Sequence, residues 1–297
     1  MKPLMSTLAG ACLAALIPNF AVAEEAPPEV TVTPIAGPLY FLQGRGGNVV
    51  ASVGEDGALI IDSDYEAYAP AHQAAVAELA GGEGAPKFLL NTHWHFDHTG
   101  GNAFFGERGS VIVAHENIYQ RMSTKQNIKA LGRVTEPSPK PALPVVTYGD
   151  AIAMHFNGDT IEVQHYPTSH TDGDSIMFFA AENVVHMGDT FFYDRFPFVD
   201  ISSGGNAFGL IKTIETVLAR IDDKTVVVPG HGPLTDKAGL ARYHNMLVTT
   251  TGQITAMLDE GMSVTDIAAK GLGDEWDSWG SGFIDEGRFI TFVASSR

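Results

Sequence analysis

The stretch KFLLNTHWHFDHTGGN, residues 87–102, restricts this chain more than any other. It opens as an apolar run of the kind that forms a buried strand. It closes on Thr99, Gly100 and Gly101, where the backbone can turn into a helix. Between the two lie His93, His95, Asp97 and His98. Strand residues face alternate sides, so extension over 87–93 and a little beyond brings His93 and His95 to one side, and Asp97 can follow. The turn then swings His98 in. That geometry offers two imidazoles to one ion, and a carboxylate with an imidazole to a neighbour. Such donors suit zinc, and also iron or manganese. A solvated polar loop is the plainer reading, but it leaves unexplained why three of 11 histidines surround one aspartate here.

The N-terminus reads as a secretory signal peptide over residues 1–23. Lys2 gives a basic start, Leu8 to Ile17 is uncharged and mainly apolar, and Ala21-Val22-Ala23 has the small-x-small cleavage pattern. The run is too short to span a bilayer. Cys12 raises a lipoprotein signal as an alternative, but Ala9 stands where such signals usually carry Leu. Cleavage leaves residues 24–297 as a single domain, removes the only cysteine, and so excludes a disulfide or a thiolate ligand. Net charge moves from -17 to about -18 with the loss of Lys2. So acidic a protein repels nucleic acid and anionic membranes, and a small-molecule substrate in the periplasm or outside the cell is expected.

Residues 30–62 alternate apolar and polar residues around turn glycines and read as a meander of short strands. A helix over 68–82 follows, stopped by Gly81-Gly82. Beyond the histidine cluster come a short helix from about Asn102, a strand at 110–115 and a helix to about Asn127. Pro137, Pro139, Pro141 and Pro144 then mark a seam between halves. The second half restarts with the strands AIAMHFNG, TIEVQHYP, SIMFFAA and ENVVHMG, a helix over 207–220, the strand KTVVVPG and two further helices before a Trp-rich tail. Strands followed by helix–strand units, twice over, predict two sheets packed face to face with helices outside.

Three more candidate ligands each follow a strand-like run: His170 in PTSHTDGD, Asp189 in ENVVHMGD and His231 in KTVVVPGHG. Together with HWHFDH these motifs resemble, in order, those of the metallo-β-lactamase superfamily. The resemblance covers nearly the whole chain after residue 23. It implies an αβ/βα four-layer sandwich of two mixed sheets, with the metal site at one edge between them. It also implies that His93, His95 and His170 hold one ion while Asp97, His98 and His231 hold a second, with Asp189 bridging them or binding the second. Two Zn2+, with iron or manganese as substitutes, would then activate a shared hydroxide that Asp97 helps to orient. His72, His115, His155, His165, His186 and His244 lack such motifs and receive no role.

Departures from the β-lactamases narrow the substrate. The cysteine-ligated subclass has Cys where this chain has Asp189, and usually Lys where it has Phe192; the loop LQGRGGN at 42–48 is also short. Asp189 looks instead like the ligand of glyoxalase II, lactonases, phosphodiesterases and RNA-processing nucleases. After it, FFYDRFPF (191–198) carries five aromatics and one cation, Arg195: an apolar wall with an anion anchor, or a packed connector. Asn206 could donate to a substrate carbonyl, as an Asn does in some relatives, but it better suits a helix N-cap. Two divalent ions outweigh two aspartates and one hydroxide, which favours a substrate with a carboxylate or phosphate. The expectation is an exported binuclear zinc hydrolase of a small ester, lactone or amide, with β-lactam cleavage left open. The alternatives are a small-phosphodiester hydrolase and an iron-dependent persulfide dioxygenase-like oxidoreductase.

Overall fold

Seven short strands build the first sheet in the computed structural model, which describes residues 28–82 and 84–297. The expected signal peptide lies outside the described residues. Strands β1 (Thr31–Ala36), β2 (Leu39–Gln43), β3 (Val49–Gly54) and β4 (Gly57–Ile61) form the antiparallel meander that the glycine spacing predicts. Helix α1 (Ala69–Ala80) then crosses back to β5 (Phe88–Leu90), and the sheet continues in parallel. Next come one-turn α2 (Phe96–Thr99), α3 (Asn102–Gly106), β6 (Val111–His115) and α4 (Glu116–Met122). A separate hairpin, β7 (Gln126–Ile128) with β8 (Arg133–Thr135), follows before β9 (Val146–Tyr148) closes the sheet against β6.

The second sheet starts with β10 (Ala151–Phe156), β11 (Asp159–His165), β12 (Ser175–Phe179) and β13 (Val184–His186), all antiparallel. After α5 (Ala207–Arg220), β14 (Val226–Val228) pairs parallel to β13, and β15 (Thr235–Asp236) pairs antiparallel to β14. Helices α6 (Lys237–Asp259), α7 (Val264–Lys270) and α8 (Glu286–Ser295) complete the chain.

The period-two alternation of strands sorts the side chains into three apolar layers. Leu59, Ile61, Leu90 and Val113 face Ile161, Val163, Met177 and Phe179 between the sheets. Their sequence neighbours Ile60, Leu89 and Ile112 point the other way, onto Ala69, Val76 and Phe105 of the first helical layer. Phe178 and Val185 likewise turn outward, onto Leu210, Ile214, Tyr243 and Phe289 of the second. The fold is therefore the expected four-layer αβ/βα sandwich.

Four expectations need correction. The strand predicted over 87–93 stops at Leu90 because Thr92 turns its N–H and hydroxyl to Asp62 and its carbonyl to Ser175 N of the other sheet. The helix predicted to reach Asn127 ends at Met122, and the residues beyond pair as the hairpin, whose turn glycine Gly132 takes a left-handed φ of +58°. The seam between halves falls after Tyr148, not in the Pro-rich stretch, since β9 still pairs with the first sheet. The tail beyond the Trp-rich segment forms α8, an amphipathic helix capped by Asp285.

Phe179, 1 % exposed between the sheets, bears the two-sheet packing. At fixed metal loading, Phe179→Ala should destabilise the protein by about 3–5 kcal/mol in urea unfolding; a loss below about 1 kcal/mol would contradict the packing described.

Candidate metal centre

Every residue of the predicted set sits just beyond the end of a strand, along one edge of the sandwich. His93 and His95 follow β5, with Asp97 and His98 on α2; His170 follows β11, Asp189 follows β13 and His231 follows β14. They form two clusters in which the ligand atoms lie within 4.8 Å of one another: His93, His95, His170 and Asp189, then Asp97, His98 and His231. Asp189 joins the two. Its Oδ2 is 3.7 Å from His93 Nε2 and 3.6 Å from His170 Nε2, while its Oδ1 is 3.1 Å from His98 Nε2 and 3.3 Å from His231 Nε2. Asp97 Oδ2 lies 3.3 Å from His231 Nε2.

Surrounding groups decide which imidazole nitrogen is left with a lone pair. His170 Nδ1 donates to Phe198 O at 2.7 Å, His98 Nδ1 donates to Asp62 Oδ2 at 2.7 Å, and His95 Nε2 donates to Asp200 Oδ2 at 3.1 Å. His93 Nδ1 meets Thr92 Oγ1 at 3.0 Å, and that hydroxyl donates onward to Asp62. The nitrogens left over, His93 Nε2, His95 Nδ1, His98 Nε2 and His170 Nε2, are therefore the ones that offer lone pairs once any second proton is lost, and they converge. His95 Nδ1 faces His170 Nε2 across 2.9 Å, and His98 Nε2 faces His231 Nε2 across 3.3 Å. Facing lone pairs repel unless a proton or a cation lies between them. His93 Nε2 is moreover fully buried without any hydrogen-bond partner. Buried polar atoms are rarely left so, and converging acceptors are what a cation requires. The residues present fit divalent metal ions.

The backbone closes tightly around this cluster. Gly47 packs so near His98 that a Cβ there would lie 2.1 Å from its ring, and a Cβ on Gly230 would lie 2.1 Å from Asp189 Oδ1. Only glycine lets both loops approach. The two loops are also joined directly, Gly47 N donating to Asp97 O and Asn48 N to Gly230 O, both at 2.8 Å.

A cavity of about 250 Å3 opens onto His95, Asp97, Asp189 and His231. Phe192, Phe196 and Phe198 form one wall of it, so FFYDRFPF does border the site; its Phe191 instead packs inward on Tyr243. The Phe192 ring stacks on His231 at 5.5 Å between centroids. Arg195 lines the mouth and is exposed, and no carboxylate pairs with it among the described residues. Asn206 is corrected: it caps α5, accepting from Phe208 N and Gly209 N, and its Nδ2 donates to Ser296 O. Both ends of its amide are engaged and it does not line the cavity.

The sequence reading missed Asp62, Asp64, Asp200 and Tyr65. Asp62 and Asp64 sit just after β4, at the same kind of strand end as the predicted residues, and that position was the available cue. Asp200 ends FPFVD without a local pattern. Of the histidines given no role, His72 bonds to buried Asp64, His186 packs near Asn48 O, and His115 stacks on His165 at 3.5 Å.

In the metal-free protein, burial depresses the His93 and His170 imidazoles, with neighbouring histidines adding to the effect, and holds His170 at about 4. For His98 and His231 burial acts in the same direction but the carboxylates outweigh it. Asp189 and Asp62 lift His98 well above the usual imidazole range, while Asp189 and Asp97 lift His231 to about 9. The reverse holds for Asp97: burial pushes it up, but the His231 hydrogen bond and the His98 and His231 charges bring it to about 2.

A model of the metallo-beta-lactamase superfamily matches residues 42–231. A hydroxyacylglutathione hydrolase from Polaromonas sp. is 32% identical over 156 residues, covering 48% of this chain and 47% of that protein. The chain thus spans about half the length of this curated relative. Among solved structures, a metallo-beta-lactamase from Pontibacter korlensis superposes with a TM-score of 0.59 at 18% identity, covering 74% of this chain and 99% of its own. The sec-alkyl sulfatase PisA1 superposes with a TM-score of 0.65 at 16% identity, covering 89% of this chain and 49% of its own. At such identities the structures show a shared fold.

Metal uptake must strip protons from the two raised histidines. Zinc binding by the metal-free protein at pH 7.5 should therefore release about two protons per chain. Affinity should rise with pH until about 9, where His231 loses its proton unaided. Calorimetry in buffers of different ionisation enthalpy measures this; binding with no proton release would contradict the arrangement.

Proposed function

The chain belongs to the metallo-beta-lactamase superfamily, and from that premise we propose that it is a binuclear zinc hydrolase acting on a small ester, lactone or amide. His93, His95 and His170 hold one ion in this reading; Asp97, His98 and His231 hold the other, and Asp189 is shared. The observation that carries it is the set of converging imidazole nitrogens beside the buried, unpartnered His93 Nε2 and the Asp189 carboxylate that both clusters share. When bound, divalent ions polarise a carbonyl or phosphoryl oxygen and make water a nucleophile near neutral pH.

The chain's own residues do the rest. Asp97 is ionised at any working pH and is the acid of the second cluster that faces the cavity. Its carboxylate accepts a hydrogen bond from the attacking water and aims it at the bound substrate. Phe192, Phe196 and Phe198 exclude bulk water from that side. At about 250 Å3 the cavity falls below the roughly 300–1,000 Å3 that takes drug-sized ligands. A compact, partly apolar substrate fits it, and Arg195 at the mouth favours one that carries an anionic group.

The name of the Polaromonas relative supports an acyl thioester as a second substrate class. Export to the periplasm or beyond rests on the sequence of residues 1–23 alone, and a small-molecule partner rests on the cavity.

Zinc-loaded protein should cleave at least one member of a panel of phenyl esters, five- and six-membered lactones, acyl thioesters and a chromogenic cephalosporin. Asp97→Ala should fold normally and lose at least about 100-fold in kcat. Wild-type rates in that variant would remove Asp97 from the mechanism, and an inert wild-type protein would contradict the hydrolase assignment.

A further inference from the structure

Attack on a carbonyl builds negative charge on its oxygen, and a fixed hydrogen-bond donor facing that oxygen stabilises the charge. Asn206, the donor suggested by the sequence, is committed to capping α5. Once His and Asp residues are set aside, the cavity wall presents two polar side chains, Tyr65 and Arg195; the rest is apolar. Arg195 belongs to the rim, exposed, with its stem against the Gly282 loop. Tyr65 is half-buried and lines the same cavity as Asp97. Gly46 separates the two: a Cβ on it would lie 2.6 Å from Asp97 O and 3.1 Å from Tyr65 Cδ2. The Tyr65 ring is tilted against that of Phe96, with centroids 5.7 Å apart.

The backbone under Tyr65 is fastened from several directions. Asp64, fully buried with a left-handed φ of +56°, accepts from Tyr65 N at 2.6 Å, Gly46 N at 2.7 Å and Arg45 N at 3.1 Å. Its Oδ2 also meets His72 Nε2 at 3.0 Å. On the other side, Gly101 N donates to Asp64 O at 3.2 Å. Asp64, through its carboxylate and its backbone carbonyl, thereby couples the 44–47 loop, α1 and the turn that follows Asp97 to the position of Tyr65. Its hydroxyl bonds to no protein group among the described residues. A rigidly held phenol with an unengaged O–H, facing a cavity otherwise poor in donors, matches what a developing oxyanion needs.

We infer that the Tyr65 hydroxyl donates a hydrogen bond to the substrate's carbonyl oxygen as charge gathers there, and is a catalytic residue of this site. The inference rests on the hydrolase reading above. The phenol O–H bond stays intact and no proton is transferred, so the step needs no co-reactant.

Tyr65→Phe removes the donor and keeps the ring. With zinc-loaded protein and phenyl acetate, its kcat should fall roughly 100-fold while KM changes by less than about threefold, because the bond strengthens as charge develops. Melting temperature and bound zinc should match wild type, which separates this role from a structural one. Phenylphosphonate, whose anionic oxygens stand in for the charged tetrahedral state, should bind the variant roughly tenfold more weakly by calorimetry. Unchanged kcat overturns the inference, as does a raised KM with kcat intact, which would make Tyr65 a wall contact. If wild type cleaves no member of the panel, the hydrolase reading fails by itself, and phenylphosphonate then decides for Tyr65: equal dissociation constants overturn its role.

Discussion

Imidazole nitrogens facing each other across 2.9 and 3.3 Å, three of the four on rings whose other nitrogen is already engaged, are the constraint around which this molecule is organised. Left alone they repel. The fold accepts that repulsion because Asp62, Asp200 and the Phe198 carbonyl fix the tautomers from behind. Those same groups stop the rings from rotating into easier arrangements, so the centre of the site is built to take positive charge. In the metal-free protein, protons on His98 and His231 supply part of that charge.

The scaffold makes this possible by collecting strand ends. β4, β5, β11, β13 and β14 deliver Asp62, His93, His170, Asp189 and His231 to one edge, where backbone groups are no longer committed to ladder bonds. Three apolar layers keep the two sheets from sliding, which sets the distance between clusters that come from different sheets. Two glycines, Gly47 and Gly230, then let the loops close to distances that no other residue permits. Above this polar floor the cavity is mostly aromatic, and that contrast makes Tyr65 and Arg195 conspicuous.

Much of the architecture was legible because it depends on local patterns. Unbroken apolar runs in ALIIDS and SIMFFAA mark strands with two buried faces, and the strand-end positions of His170, Asp189 and His231 follow from such runs. The structure brings all seven expected residues together. Features that depend on partners distant in sequence were not legible. Thr92 leaves its strand for Asp62, 30 positions away, and no window around KFLLNTH reveals this. The hairpin at 126–135 reads as a helix continuation because its pairing lies in the turn at Gly132 and not in its apolar spacing. Asn206 illustrates the opposite case: its capping role is local, and the sequence already contained it. Tyr65 became visible only once Asp64 was seen to join three segments.

The most direct test of the account is the metal content of the purified chain after equilibration with zinc and dialysis, measured by elemental mass spectrometry. About two ions per chain are expected. His231→Ala should retain one, since His93, His95, His170 and Asp189 remain together. Zinc at trace levels in the wild type, or the same content in wild type and variant, would contradict a binuclear centre built from these residues.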